Sequence, residues 1–304
     1  MSEKISICRT PEDVEQFLSR HKDKKFILYL AHKDNDGWEK STSRVYMNQI
    51  SPHLIYLPVD VEKENLGFLS KIYEMFQQNN QIVAINQTQP HKSNPIVKEL
   101  FQRRGIVLAN IDSIVKNQNG ELIPFNLNGQ AFVDWFLDEV GAIKGSTVVL
   151  VGVGGAGGSI AREIAINRPS ELILVDLMDK RPLAQELSSS YTKVEYAQKL
   201  LISSLIDKPS LVVINAAGKE GATSDTAITL LLSSSVNKQH IFIDLRPQLV
   251  FPIVEQAKKF GWRAYSGYGM NVRNDYVFLC NIAEITKIEL PPFEMFREMV
   301  AKAS

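Results

Sequence analysis

The chain has 304 residues, of which 44% are hydrophobic and 22% are charged, and its 34 basic side chains balance its 34 acidic ones. This length is typical of about two domains, and the composition provides enough apolar residues for a globular core. Zero formal net charge argues against a dedicated nucleic-acid-binding protein, because such proteins usually carry a basic excess.

The cysteines and apolar runs exclude further classes of protein. Two cysteines, Cys8 and Cys280, are too few for a disulfide framework or a four-cysteine metal site. The first residues lack the apolar core of a secretion signal, and no apolar run approaches the roughly 20 residues of a membrane-spanning helix. The histidines show no zinc-binding spacing. We therefore expect a cytoplasmic protein with no metal and with neither nucleic acid nor a membrane as a partner.

The chain up to about residue 125 mixes predicted strands and helices. Short apolar runs, typical of buried strands, occupy residues 26–31, 53–59 and 81–86. Residues 67–77 have apolar side chains at helical spacing. Asn119-Gly120 lies between two extended segments and predicts a hairpin turn.

From residue 147 onward, predicted strands alternate with helices, which indicates βαβ units around a parallel sheet. A predicted helix over 129–139, stopped by Gly141 and Gly145, separates the two patterns. Near the end, a helical pattern runs from 275 to the prolines at 291 and 292, and a second short helix follows. We expect an α/β fold of two domains, 1–128 with 275–304 returning to it, and 129–274.

A glycine-rich loop follows the predicted strand at 147–153. Gly152, Gly154 and Gly157 fit the pattern G-x-G-x-x-G. In this pattern the first glycine permits a tight turn, the second lets the backbone approach a pyrophosphate, and the third allows close helix–strand packing. Asp176 follows Gly157 by 19 residues, near the spacing of about 20 expected for an acid that binds a ribose hydroxyl. The second domain is therefore predicted to be a Rossmann-type dinucleotide-binding domain.

The residues around this loop also bear on the choice of cofactor. Gly155 and Ala156 begin the helix whose N–H groups and dipole would bind the pyrophosphate. A carboxylate at Asp176 accepts hydrogen bonds from both ribose hydroxyls of NAD and repels the 2′-phosphate of NADP. No arginine follows it directly, although Lys180 and Arg181 stand close behind. We therefore expect NAD rather than NADP.

Four further segments resemble the shikimate/quinate dehydrogenase family. Residues 86–92, NQTQPHK, resemble that family's N-V-T-x-P-H-K signature, and residues 41–48, STSRVYMN, resemble its S-x-S-P-x-x-H-N. Residues 214–217, INAA, are similar to its I-N-A-T, and residues 267–270, GYGM, to its G-x-x-M. Their order and spacing agree, so the resemblance covers the chain from about residue 26 to 282.

The resemblance implies an NAD(P)-dependent oxidoreductase that transfers a hydride between nicotinamide and a secondary alcohol or ketone of a small, cyclic carboxylate. It implies that the first domain binds the substrate, that Lys92 is the catalytic acid and base, and that Ser41 and Ser43 bind the substrate carboxylate. The further site residues that it implies are the substrate contacts Thr88, Asn126 and Asn274 and the nicotinamide contacts Asn215, Ala216, Gly267 and Met270.

The sequence departs from the family at the acid that should assist the lysine. The family's N-T-D falls on residues 126–128, so that Asn128 replaces the aspartate, whereas Asp112 stands where the family has a substrate-binding asparagine. We therefore hypothesise that Lys92 and Asp112 form the ionic pair and that Asn128 positions the substrate. The family's D-x-x-Y-N-P segment is shortened to residues 244–247, DLRP.

Other interpretations stay open. Ser41 and Ser43 also fit the cap of a helix that begins near Arg44, Asp112 also fits a turn, and His91 also fits a structural role. The chain also fits a non-catalytic dinucleotide-binding protein with a decayed site, or a methylene-tetrahydrofolate-type dehydrogenase. Because an amide in place of an acid changes which substrate groups can be hydrogen-bonded, a modified or amino-substituted ring acid is expected rather than shikimate itself. We expect a monomer or a homodimer.

Overall fold

The structure is a computed structural model that describes residues 7–32, 53–88, 90–103, 110–218, 222–234, 239–246 and 252–302. The chain divides into two units. Unit 1 is Met1–Leu127 with Asp275–Ser304, and unit 2 is Asn128–Asn274. The boundaries expected from the sequence differ from these by at most one residue.

The elements alternate along most of the chain. The described strands are β1 (Lys25–Ala31), β2 (Leu54–Asp60), β3 (Ile82–Gln87), β4 (Ser113–Lys116), β5 (Leu122–Phe125), β6 (Thr147–Val151), β7 (Glu171–Val175), β8 (Lys193–Ala197), β9 (Leu211–Asn215), β10 (Ile241–Asp244) and β11 (Arg263–Ser266). The described α-helices are α1 (Pro11–Arg20), α2 (Leu66–Gln78), α3 (Pro95–Gln102), α4 (Asn128–Trp135), α5 (Gly155–Ile166), α6 (Arg181–Leu187), α7 (Ala222–Ser234), α8 (Pro252–Lys259), α9 (Tyr268–Thr286) and α10 (Phe293–Lys302). None of them is both long enough and apolar enough to cross a membrane.

Unit 1 contains a five-stranded sheet in the order β2-β1-β3-β4-β5. The first three strands are parallel, and β4 is antiparallel to both of its neighbours. Strand β1 is almost continuously apolar because it is buried on both faces. Its core partners include Ile72 and Phe76, which lie on the apolar stripe predicted for α2.

The hairpin of β4 and β5 positions the candidate acid of unit 1. The chain turns through Gly120, whose φ of +80° favours glycine, and the N–H of Gly120 donates to the carbonyl of Asn117 at 3.0 Å. Because β4 is antiparallel to β3, its first residue, Ser113, pairs with Asn86 near the end of β3. Asp112 therefore lies beside the carboxyl end of β3.

Unit 2 contains a six-stranded parallel sheet in the order β11-β10-β9-β6-β7-β8. Although all strands are parallel, successive strands β6 to β8 are added toward one edge of the sheet and β9 to β11 toward the other, so the strand order reverses between β6 and β9. In open parallel sheets, ligands bind outside the carboxyl ends of the strands at this point. The structure confirms the predicted α/β fold with a Rossmann-type sheet.

Candidate active site

The glycine loop of unit 2 follows β6 at the point where the strand order reverses. Gly152 has a φ of +86°, and a Cβ there would lie 2.5 Å from the backbone nitrogen of Ala217. A Cβ at Gly157 would lie 2.0 Å from the carbonyl oxygen of Gly152. These two glycines therefore let the loop, the start of α5 and the segment after β9 approach one another closely.

The start of α5 fits an anionic group. Gly154 is the N-cap residue and supplies no side-chain hydrogen bond to the helix, and the first turn contains no acidic residue. A Cβ at Gly154 would meet no protein atom within 4 Å. The leading N–H groups of an α-helix lack intrahelical partners and attract negative charge. The residues present at Gly154, Gly155 and Ala156 therefore fit a dinucleotide pyrophosphate.

Asp176 stands directly after β7, beside the glycine loop. Its Oδ2 accepts the N–H of Val153 at 2.6 Å, and its Oδ1 accepts the N–H of Met178 at 2.8 Å. A carboxylate has about four acceptor positions, so two backbone bonds orient Asp176 and leave capacity for hydroxyl donors. The side chain is half-buried, which suits a group that binds a ligand at the edge of the sheet.

A buried polar network lies at the carboxyl ends of β9 and β10. Asn215 donates from Nδ2 to Asp244 at 3.0 Å and accepts the N–H of Ala217 at 3.3 Å. Arg246 donates to both oxygens of Asp244, at 2.8 and 2.5 Å, and to Asp225 at 3.1 and 3.2 Å. The side chain of Asn215 is therefore engaged inside the protein, and the segment that it holds is the one packed against Gly152.

Sequence reasoning identified Asn215 but missed Asp225 and the role of Arg246. The available signal was the shortened segment 244–247, in which an arginine stands two residues after an aspartate. Asp244 is completely buried. A buried carboxylate needs a positively charged or hydrogen-bonding partner, and here Arg246 provides the charge.

The start of α9 is packed closely in unit 2. A Cβ at Gly267 would lie 2.6 Å from the carbonyl oxygen of Leu245, and a Cβ at Gly269 would lie 2.2 Å from Nε1 of Trp135. Met270 is 4% exposed. Asn274, the residue predicted to contact the substrate, is half-buried further along α9.

The candidate lysine of unit 1 lies in a tight turn after β3. Lys92 is half-buried in a single turn of 3-10 helix, 91–93. Its carbonyl oxygen accepts the N–H of Ile111 at 2.9 Å. The preceding residue, His91, is 1% exposed, and its Nε2 lies 3.0 Å from the carbonyl oxygen of Val61. Burial lowers the pKa of His91, so the ring anchors the turn as a neutral donor.

Asp112 is buried within electrostatic reach of this lysine. Its carboxylate oxygens accept the N–H of Leu127 at 3.2 and 3.0 Å. The pKa of Asp112 is raised, because burial outweighs the positive charge of Lys92 and the bond from Leu127, both of which act to lower it. The structure thus brings the lysine and the relocated acid together.

The remaining predicted residues of the substrate site are only partly described. Thr88 is half-buried, and its N–H donates to the carbonyl of Leu30 at 3.0 Å. Asn126 is half-buried after β5, and Asn128 is half-buried as the first residue of α4. Ser41 and Ser43 lie outside the described residues. Within the described ranges, no cluster of three or more histidine, cysteine or acidic side chains is arranged to hold a metal ion.

Comparisons with known proteins show what the chain is similar to. It matches no protein-family model. It is 24% identical over 255 residues to a shikimate dehydrogenase (NADP+) of Methanococcus maripaludis, an alignment that covers 82% of this chain and 88% of that protein.

The similarity to solved structures extends over nearly the whole chain. Shikimate 5-dehydrogenase from Listeria monocytogenes, solved with shikimate and NAD, superposes with a TM-score of 0.70 at 15% identity and covers 99% of both chains. Quinate dehydrogenase from Corynebacterium glutamicum, solved with NAD, gives 0.67 at 16% identity, covering 92% of this chain and 99% of that one. The sequence comparison confirms the resemblance to the shikimate dehydrogenases that the motifs indicate, and the structures show the same fold.

Proposed function

We propose that the protein is an NAD(P)-dependent oxidoreductase that interconverts a secondary alcohol and a ketone on a small, cyclic carboxylate. The observation that supports this most strongly is the turn that places Lys92 beside the buried Asp112, in a chain whose other unit has a dinucleotide-type glycine loop. A positioned acid–base group and a nicotinamide-binding loop are the two requirements of alcohol oxidation.

Residues of the protein accept and donate the hydroxyl proton of the substrate. When bound, the nicotinamide cofactor supplies the hydride acceptor. In the oxidation direction, the carbinol C–H bond breaks with its electron pair leaving as hydride, and the hydroxyl proton passes to the neutral amine of Lys92, leaving a ketone. In the reduction direction, the ammonium of Lys92 gives that proton to the carbonyl oxygen. The carboxylate of Asp112 stabilises the ammonium form, and the amide of Asn128 orients the substrate oxygen.

The pairing of Lys92 with Asp112 has a direct test in the pH dependence of kcat/KM for oxidation. Replacing Asp112 with asparagine removes a negative charge beside the lysine, so the pKa of Lys92 falls and the rise of kcat/KM with pH moves to lower pH. Lys92→Met abolishes turnover, and Asn128→Ala lowers it. If Asp112→Asn leaves both turnover and the pH profile unchanged while Asn128→Ala abolishes activity, Asp112 is not the partner.

We propose NAD as the cofactor in preference to NADP. Asp176 is held beside the glycine loop by two backbone bonds, and the next residue, Leu177, has no charge with which to bind a phosphate. Arg181 donates to both carboxylate oxygens of Asp179, at distances of 2.7 to 3.0 Å, which reduces its use for a phosphate. The curated relative from Methanococcus maripaludis is by contrast named for NADP+.

The cofactor proposal is tested by comparing kcat/KM for NAD and NADP in the parent protein and in Asp176→Ser. We expect the parent to prefer NAD, and the variant to lose at least about tenfold of that preference, since a well-placed hydrogen-bonding acid discriminates by one to several kcal/mol. Asp207→Ser is the matched control, because the same exchange removes an exposed carboxylate of unit 2 that precedes β9, at the amino ends of the strands and away from the proposed ribose contact. A parent that prefers NADP would refute the proposal.

One observation favours a second candidate function, a dinucleotide-binding protein without catalysis: Asn128 stands where the family has its catalytic aspartate. The two candidates are separated by titrating the protein with NAD and then assaying a panel of cyclic hydroxy acids, including shikimate, quinate and amino-substituted analogues. Binding of NAD without turnover of any of them supports the second candidate. Turnover of an amino-substituted acid in preference to shikimate supports the modified substrate expected from the sequence.

A further inference from the structure

Gln87, the last residue of β3, has its side-chain amide buried in the core of unit 1. The residue is 1% exposed. Its Oε1 accepts the hydroxyl of Tyr73 at 2.5 Å, and its Nε2 donates to the carbonyl of Ile111 at 2.7 Å. A buried amide without partners would destabilise the fold. The signature that this segment resembles has a valine here, so the glutamine is a departure with specific partners.

The contacts of Gln87 lead directly to the proposed catalytic pair. The N–H of Gln87 donates to the carbonyl of Asp112 at 2.8 Å, and the N–H of Ile111 donates to the carbonyl of Lys92 at 2.9 Å. The segment 111–112 is therefore held on one side by Gln87 and on the other by the turn of Lys92. A shift of this segment would change the position of Lys92 and of Asp112 together.

Tyr73 fixes the other end of this arrangement. It lies on α2, is 2% exposed, and belongs to the same apolar core as Ile72 and Phe76. Burial strongly raises the pKa of its phenol, so the hydroxyl stays protonated and donates to Gln87. The amide of Gln87 thus connects a fixed point on a core helix with the segment that orients the catalytic pair.

We infer that Gln87 and Tyr73 are positioning residues for Lys92 and Asp112. Gln87 acts through the carbonyl of Ile111, and Tyr73 acts through Gln87. This inference rests on the proposed function, because it assigns these residues to the same reaction. It predicts that a loss of the Gln87–Ile111 bond affects the acid–base step, while the affinity for NAD is unchanged because the dinucleotide loop belongs to unit 2.

The principal test is Gln87→Met, which keeps the length of the side chain and removes both hydrogen-bonding groups. We expect kcat to fall by about 10²-fold, since a displacement of roughly 1 Å at a catalytic group has effects of that size. We also expect the pH midpoint for chemical labelling of Lys92, followed by mass spectrometry, to shift. This readout does not require turnover, and a purely structural role would not move it.

Gln81 provides a matched control just before β3 begins. Its Nε2 also donates to backbone carbonyls, those of His21 at 3.0 Å, Lys24 at 3.4 Å and Leu18 at 3.5 Å, but it lies at the opposite end of the strand from Lys92. We expect Gln81→Met to lower stability and to leave kcat and the labelling profile of Lys92 unchanged. A loss of kcat as large as in Gln87→Met would overturn the inference.

Two further variants keep the test decisive. Tyr73→Phe removes one bond to Gln87 but retains the bond to Ile111, so it lowers kcat less than Gln87→Met does. Gln87→Glu retains the acceptor for Tyr73 and replaces the donor that faces Ile111. If Gln87→Met does not fold, the kcat and the Lys92 labelling midpoint of Gln87→Glu decide whether Gln87 is a positioning residue.

A folded variant at position 87 with kcat within about twofold of the parent and the same labelling midpoint overturns the inference. If the parent turns over none of the cyclic acids, the proposed function fails, and the labelling of Lys92 decides the inference alone.

Discussion

Gly157 and Gly158 are consecutive residues of α5, yet the structure predicts opposite outcomes when each is replaced by alanine. A Cβ at Gly158 would meet no atom within 4 Å, so alanine there gains the usual helix preference of about 0.8–1 kcal/mol over glycine. A Cβ at Gly157 would lie 2.0 Å from the oxygen and 3.1 Å from the carbon of the Gly152 carbonyl. Both are backbone atoms that no rotamer change can move aside.

The difference between the two variants isolates the cost of that contact, because the gain in helix preference is common to both. Overpacking in a close-packed region costs about 1–3 kcal/mol, and occasionally more. We therefore expect Gly157→Ala to have a free energy of unfolding lower than that of Gly158→Ala by at least this amount. Urea unfolding measures it, and the buried Trp135 and Trp262 report on unit 2 by fluorescence.

A third variant, Gly154→Ala, distinguishes an effect on dinucleotide binding from an effect on folding. Alanine at Gly154 meets no protein atom, so the fold is kept with a loss of at most about 1 kcal/mol from the poorer N-cap, but its methyl group occupies the space through which a pyrophosphate would approach. We expect the Kd for NAD to rise by about tenfold or more, a loss of about 1.4 kcal/mol. Equal unfolding midpoints for Gly157→Ala and Gly158→Ala would refute the packing argument, and unchanged NAD binding in Gly154→Ala would refute the placement of the pyrophosphate.

Three further predictions concern stability and reactivity. Cys8 is buried and its pKa is raised to about 12, whereas Cys280 is exposed, so a thiol reagent near pH 8 should label only Cys280 in the folded protein and both cysteines in denaturant. Rapid labelling of Cys8 under native conditions would contradict this prediction. His240 accepts the N–H of Leu211 through Nδ1, and burial lowers its pKa below the usual 6.5. The unfolded chain therefore takes up the proton first, and the free energy of unfolding decreases as the pH falls below 6.5. In urea unfolding at several pH values, His240→Asn, which keeps an acceptor, should reduce this decrease, and an equally steep decrease would exclude His240 as its cause. Arg246→Met removes the charge that pairs with the fully buried Asp244 and should lower the free energy of unfolding by about 3–5 kcal/mol. The double variant Arg246→Met/Asp244→Asn should recover part of this loss. A loss below about 1 kcal/mol would mean that the pair behaves as a surface ion pair.

The elements that the sequence predicts best are those buried on both faces. The segment that becomes β6, TVVLV, consists of four β-branched residues and a leucine and is followed by glycine, and both its strand character and its loop follow from that pattern. The sequence does not predict strand β8, which lies at the edge of the sheet. Lys193 and Glu195 point to solvent there and form an ion pair, so the segment has too few apolar residues to predict a strand.

The candidate site divides in a similar way. The segment of Lys92 and the glycine loop are each a single stretch of sequence. Lys92 was expected from the resemblance of residues 86–92 to a family signature, and the loop from the spacing of its glycines after a predicted strand. The network of Asn215, Asp225, Asp244 and Arg246 joins three separate segments. The pairing of β9 with β10 aligns Asn215 with Asp244, and Arg246 bonds to Asp225 on α7. In the sequence, Gln87 is a departure from the valine of a signature, and its proposed positioning role rests on its bond to Tyr73, which lies on a different element, α2.

The division of the chain into units has a consequence for biosynthesis. Unit 2 is continuous in sequence, from Asn128 to Asn274, whereas unit 1 combines residues from before and after it. A ribosome that has translated residue 274 has therefore supplied every residue of unit 2 but has not yet supplied Phe278 and Phe296, which are completely buried. Lys92 and Asp112 are thus translated before unit 2, but the unit that contains them receives the core side chains of Phe278 and Phe296 only after unit 2 has been translated.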